Sequence, residues 1–101
     1  MFYLYVLYSA GSDLYYIGHT ENVAGRLFQH NNPELDNYTS VHRPWELAAA
    51  FEAGATRGEA LKLERFIKKQ KSRSLIERLI SPDFIPTGVL AQLVRVPDVR
   101  D

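Results

Sequence analysis

The chain contains no cysteine. Disulfides and thiolate metal sites are therefore excluded, and no redox compartment can be inferred. It also lacks an excess of either charge: twelve Lys and Arg balance twelve Asp and Glu, for a formal net charge of zero. A protein that coats nucleic acid regardless of sequence is usually strongly basic, so that class is disfavoured. The apolar opening from Met1 to Tyr8 falls well short of the roughly 20 residues that span a bilayer. It has neither a basic n-region nor a long apolar h-region, so it does not read as a signal peptide. A cytoplasmic protein without membrane attachment is the expectation. With 101 residues a single domain is expected, small enough to bury only roughly 60–65% of its unfolded surface. There is no internal repeat, low-complexity tract or interdomain linker.

What is present is unevenly placed. Between Lys62 and Arg78 stand Lys62, Arg65, Lys68, Lys69, Lys71, Arg73 and Arg78 against only Glu64 and Glu77, a local excess of five positive charges. Such a stretch suits phosphate, although charge alone favours a solvated helix face. Residues 2–8 are bulky, aromatic and β-branched and predict a strand buried on both faces. Ser9–Asp13 is a turn signal and Leu14–Ile17 the returning strand of a hairpin. A turn centred on Ala10-Gly11 sets Tyr5 opposite Tyr16, with both phenols on one face.

Asn22 predicts a cap for a helix from Val23 to about Asn31, on which Arg26 and His30 share one face and Val23 and Leu27 form an apolar edge. Asn31 to Pro44 reads as a loop. Trp45–Phe51 predicts a third strand with Trp45, Leu47, Ala49 and Phe51 facing one way. Thr56-Arg57-Gly58-Glu59 matches a capping box and opens a helix from Arg57 to about Lys71. Its apolar stripe centres on Ala60, Leu63 and Ile67, flanked by Leu61 and Phe66. Glu64 falls inside that arc, where an unpaired carboxylate would cost several kcal/mol. Leu75, Ile76, Leu79 and Ile80 suggest a further short helix ended by Pro82. Val89–Val96 reads as an added strand or an extended arm.

These residues carry a family resemblance. Tyr3-Leu4-Tyr5 is followed after ten residues by Tyr16-Ile17-Gly18, and then by His19-Thr20-Glu21-Asn22, Arg26-Leu27 and His30-Asn31. Glu64 comes later, with Ile67-Lys68 just after it. The ordered set resembles the GIY-YIG nuclease superfamily, above all its small stand-alone bacterial members, over roughly residues 2–80. Two departures stand out. Tyr3-Leu4-Tyr5 lacks the glycine and isoleucine of the first signature. Where many superfamily nucleases carry an asparagine after the glutamate helix, this chain offers Ser81.

The resemblance implies an α+β fold with a three-stranded antiparallel sheet flanked by helices. It assigns residues 1–82 to the nuclease domain and 83–101 to a C-terminal extension packed on or trailing from it. It also implies a metal-dependent endonuclease, with Glu64 as ligand to one Mg²⁺ or Mn²⁺, Arg26 on the scissile phosphate, and Tyr5, Tyr16 and His30 handling the water. Chemically, one carboxylate completed by waters and phosphate oxygens is a common way to hold magnesium. Arginine offers a planar fork that lysine cannot reproduce. A free tyrosine titrates near about 10 and is a poor base at neutral pH; a nearby cation, Arg26 or the metal, would lower that value or let the phenol relay a proton. Gly18 would let backbone and substrate approach closely.

Each residue also has a plainer reading. Tyr5 and Tyr16 would simply pair across the sheet, Glu64 would pair with Lys68 at i,i+4, and Arg26 and His30 would form a polar helix face. His42 is a further candidate histidine. Tyr3, Tyr8, Tyr15 and Tyr38 read as packing residues, and Thr20 and Asn22 as turn and cap. Lys68, Lys69, Lys71 and Arg73 are the expected nucleic-acid contacts. The expected partner is DNA, cut with low sequence specificity or selected by structure, with target choice coming from DNA shape, from the basic helix or from a partner protein. A catalytically weak or inactive nucleic-acid-binding module is the alternative.

Overall fold

The computed structural model of the chain describes residues 1–34 and 38–97. The Tyr38 side chain, the middle of the predicted loop at residues 35–37, and the end of the tail lie outside the described residues. Four antiparallel strands in the order β2-β1-β3-β4 form one sheet: β1 Phe2–Ser9, β2 Leu14–Thr20, β3 Glu46–Gly54 and β4 Val94–Arg95. Three helices flank it: α1 Val23–Asn31, α2 Arg57–Gln70 and α3 Arg73–Ile80. No helix among the described residues is long and apolar enough to cross a membrane.

The sheet has four strands, not the three expected. Leu90 and Leu93 bury themselves in the core, which brings Val94 and Arg95 against Glu52 and Phe51 of β3. The Arg95 guanidinium then donates to the last carbonyls of α3, those of Leu79, Ile80 and Ser81, each at 3.2 Å. A two-residue strand carries no period of its own. What creates it is the burial of the leucines before it.

The hairpin register also differs. Tyr5 pairs with Gly18, and Tyr16 with Leu7, a shift of two residues from the register read off the sequence. Because side chains alternate with period two, Tyr5 and Tyr16 stay on one face as diagonal neighbours rather than an opposed pair. The turn spans Ala10–Asp13, and Asp13 sits at φ 52°, held by Tyr8 Oη at 2.7 Å and by Arg73.

In β3 the predicted single apolar face is broken. A register shift against β1 between Val6 and Leu7 sends Trp45 and Leu47 to the side of Tyr5 and Leu7, whereas Ala49 and Phe51 join Leu4, Val6 and Ile17. The irregularity falls at Ala48, where the strand carries an extra residue.

Helix α2 lays Ala60, Leu63 and Ile67 on the Leu4–Val6–Ile17 face. On the opposite face Val23 and Leu27 of α1 pack against Tyr5 and Leu7. Thr56 caps the helix, its Oγ1 accepting from Glu59 N–H at 3.2 Å, while Glu59 Oε2 reaches back one residue beyond the cap and accepts from Ala55 N–H at 2.8 Å. Replacing Thr56 by Ala should cost about 1 kcal/mol, lowering the melting midpoint of a domain this size by roughly 4–8 °C. Thermal unfolding followed by circular dichroism checks this, and an unchanged midpoint would deny the cap any role.

Candidate active site

Helix α1 starts where Asn22 Oδ1 accepts from Gly25 N–H at 3.0 Å, and Thr20 Oγ1 in turn accepts from Asn22 N–H at 3.1 Å. This start fixes the rotation of the helix, so that Arg26 and His30, one turn apart, both reach the Tyr5 phenol. Arg26 Nε donates to Tyr5 Oη at 3.3 Å, and His30 Nε2 lies 3.1 Å from the same oxygen. With Arg26 donating, the phenol proton is left for His30 Nε2. The proton on Nδ1 then serves Thr39 Oγ1 at 3.1 Å. The far end of α1 is clamped by Asn31, whose side-chain amide exchanges two hydrogen bonds with the Trp45 backbone at 2.6 and 2.9 Å.

Tyr5 is 1% exposed and His30 7%. Burial pushes the Tyr5 phenol up to about 12 and outweighs the Arg26 hydrogen bond, which pulls it down; the nearby Tyr16 and Glu64 charges add to the rise. Arg26 does pull this tyrosine down, as expected, but the guanidinium does not offset the desolvation of a buried phenolate, so the net shift is upward. Burial first, and then the positive charge of Arg26, push His30 down, leaving a neutral imidazole at pH 7. Arg26 is pushed up, first by its hydrogen bond to Tyr5, and stays charged. The Tyr16 ring stands 6.3 Å from Tyr5 and 4.7 Å from His30.

Gly18 explains how the Tyr5 phenol fits. It is the cross-strand partner of Tyr5, and a Cβ at this position would lie 2.5 Å from Tyr5 Oη and 2.7 Å from Cζ. The close approach that needs glycine is therefore that of a phenol within the protein itself.

Glu64 arrives from the other face of the sheet, on α2, and meets β2 at its edge. Its side chain is 12% exposed, and each carboxylate oxygen has a partner: His19 Nδ1 at 2.7 Å on Oε1, and Lys68 Nζ at 2.9 Å on Oε2. The carboxylate inside the apolar arc is thus compensated, and the plain i,i+4 pair with Lys68 exists as well. Arg57 Nη1 lies 3.3 Å from His19 Nε2. Since guanidinium only donates, Nε2 accepts and Nδ1–H points at Glu64. Lys68, whose side chain is 49% exposed, also lies 5.7 Å from the centre of the Tyr16 ring. The carboxylate, the ammonium and the tyrosines thus meet around the edge of β2.

Tyr5, Tyr16, Arg26 and His30 come together, with Glu64 joined to them through Lys68. Lys68, Lys71 and Arg73 line one cleft, and Lys69 is exposed outside it. Arg73 is held by Asp13 and Glu77. His42 stands apart: its Nδ1 is 2.8 Å from Ser12 Oγ at the hairpin turn, and its ring faces Trp45. Ser81 caps α3, with partners at Asp83 and Arg95 rather than in this group. Tyr8 and Tyr15 stack at 4.9 Å. Sequence reasoning missed His19, Thr39 and Asn31. His19 was detectable only as the polar residue directly after Tyr16-Ile17-Gly18.

Among the described residues no three His, Cys, Asp or Glu side chains stand together as a metal cage. The chemistry present instead suits a hard divalent cation on one carboxylate, its other positions filled by water and phosphate oxygens. Lys68, being half exposed, can withdraw from Oε2, while the less exposed His19 keeps hold of Oε1.

The family model of the GIY-YIG catalytic domain matches residues 1–77. The "UPF0213 protein in ldhD 5'region" of Pediococcus acidilactici is 34% identical over 88 residues, covering 85% of this chain and 88% of the relative. A UPF0213 protein of Staphylococcus saprophyticus is 35% identical over 77 residues, covering 73% and 92% respectively. One from Staphylococcus epidermidis reaches 42% over 53 residues, covering 52% and 63%. With the signature residues gathered on one hairpin and two helices, and the match running from the first strand into the third helix, the chain belongs to the GIY-YIG family, a family of nuclease domains.

Proposed function

We propose that the protein is a divalent-metal-dependent endonuclease of the cytoplasm that hydrolyses phosphodiester bonds in DNA, selecting by structure rather than by sequence. The observation that carries this reading is the convergence of Arg26 and His30 on the Tyr5 phenol, with the Glu64 carboxylate joined to the neighbouring Tyr16 through Lys68. Residues 1–82 form the catalytic unit, and the segment after them closes its sheet.

Arg26 grips the scissile phosphate. Its side chain is exposed, with Nη1 donating to Gln29 Oε1 at 3.0 Å. Tyr5 does not act as a base, because its proton stays on at neutral pH. It instead orients Arg26 and relays a proton toward the neutral His30. Tyr16, less buried, borders the same space and orders the attacking water. Glu64, steadied by His19, would hold Mg²⁺ or Mn²⁺, which would supply charge stabilisation at the phosphate and the leaving oxygen. A chain with net charge zero holds DNA through local cations, with a partner protein supplying the target.

Incubation of the purified protein with branched and single-stranded DNA, with and without Mg²⁺ or Mn²⁺, tests this directly. Cleavage only with metal is expected; none on any substrate would move the assignment to a binding module that keeps the fold. Arg26→Lys separates the roles. It keeps the charge but loses the fork and the bond to Tyr5, so cleavage should fall at least ~10²-fold while DNA affinity changes little. Equal rates would remove Arg26 from the chemistry.

A further inference from the structure

Beyond Lys68, the corner between β2, α2 and α3 holds an open cleft of about 360 Å³. Its floor is apolar, made by Ile17, Ile67 and Ile76, and Lys71 and Arg73 stand at its rim. Tyr16 and Lys68 form a wall shared with the candidate active site. A second cleft, of about 260 Å³ beside Tyr3 and Val96, has Glu21 as its one charged lining residue and no cation.

The cations at the first cleft are not equivalent. Lys68 pairs with Glu64, and Arg73 with Asp13 and Glu77. Lys71 has no ion-pair partner among the described residues. It also occupies a costly position: it ends α2 in the left-handed region at φ 49°, where helices normally place Gly or Asn. A lysine held there against backbone preference lines the cleft at the junction of α2 and α3.

An apolar floor under a cationic rim is the complement of a nucleotide, whose base is flat and apolar on its faces and whose phosphate is an anion. We infer that this cleft receives one unpaired nucleotide adjoining the scissile phosphate, its base on the isoleucine floor beside Tyr16 and its phosphate at Lys71. This rests on the reading that nucleic acid passes the Arg26 and Tyr16 site. It names the substrate class: a flap, bulge or single-stranded end, because a base stacked and paired in continuous duplex cannot enter.

The test uses the full chain without divalent metal, titrated with 2'-deoxyadenosine 5'-monophosphate and, separately, with 2-deoxyribose 5-phosphate, while backbone amide resonances are followed. The nucleotide should give saturable shifts at Ile17, Ile67 and Ile76, and bind at least about fivefold more tightly than the sugar phosphate. Lys71→Gly should weaken it by about fivefold or more. The same variant should melt no lower than wild type, since glycine suits a positive φ, so a loss of binding cannot be put down to unfolding. Absence of saturable shifts at the isoleucines, equal binding of the sugar phosphate, or an unchanged Lys71→Gly affinity would each overturn the base pocket. The two readings fail separately. Nucleotide binding in a protein that cuts nothing would sink the hydrolase, whereas metal-dependent cleavage without nucleotide binding would sink the cleft.

Discussion

Glu64→Gln protein, given branched DNA with Mg²⁺ or Mn²⁺, should cut at least ~10³-fold more slowly than wild type, the loss expected when several kcal/mol of transition-state charge stabilisation disappears. The substitution keeps the shape of the side chain, which still accepts from His19 and lies beside Lys68. Folding should persist. Both carboxylate oxygens are partnered, so no relief of a buried unpaired charge is available, and the exposed Lys68 pair is worth little. Melting should move by no more than a few degrees in either direction. Mn²⁺ titration by calorimetry should lose its heat in the variant, whereas DNA affinity without metal should hold or tighten as repulsion from phosphate is removed. Cleavage at the wild-type rate would remove Glu64 from the mechanism.

Gly18→Ala should be nearly as damaging, although Gly18 itself supplies no reacting group. The new methyl carbon would meet a phenol that is 1% exposed and tied to Arg26 and His30. Overpacking of this kind costs about 1–3 kcal/mol. Displacing the ring by even an ångström should slow cleavage ~10²-fold, since catalytic groups tolerate little misplacement. The cause can be isolated by a double-mutant cycle. In a Tyr5→Ala background, where the phenol is gone, Gly18→Ala should lose most of its cost in melting temperature. An alanine variant that is as stable and active as wild type would show that the phenol has room to move aside.

Much of this arrangement was legible in the residues. Helix starts at Asn22 and Thr56 were readable because a short polar side chain before an apolar period has one strong physical use. The i,i+4 spacing of Arg26 and His30 placed them on one face, and both reach the same phenol. The hairpin register slipped by two because the turn length is set by Asp13 in the left-handed region, held by Tyr8 and by Arg73 from sixty residues away. The face of β3 was misread because nothing in a run of three alanines marks which one is extra. β4 was readable only as one of two alternatives for Val89–Val96, a strand or an arm, because it is made by the burial of Leu90 and Leu93 rather than by its own pattern. His19 was passed over because its meaning lies in a carboxylate 45 residues distant, a separation that no local pattern reveals.

The two faces of the sheet also differ in when they can be built. Tyr5 is joined to Arg26 and His30 across 21 and 25 residues, all within the first 31 positions of the chain. The His19–Glu64 contact spans 45 residues and waits for β3 to pair and α2 to dock. Local contacts close early and cheaply, and distant ones late. The Tyr5–Arg26–His30 cluster is thus the more local of the two, and the Glu64 carboxylate reaches His19 only once the later strand and helix have docked.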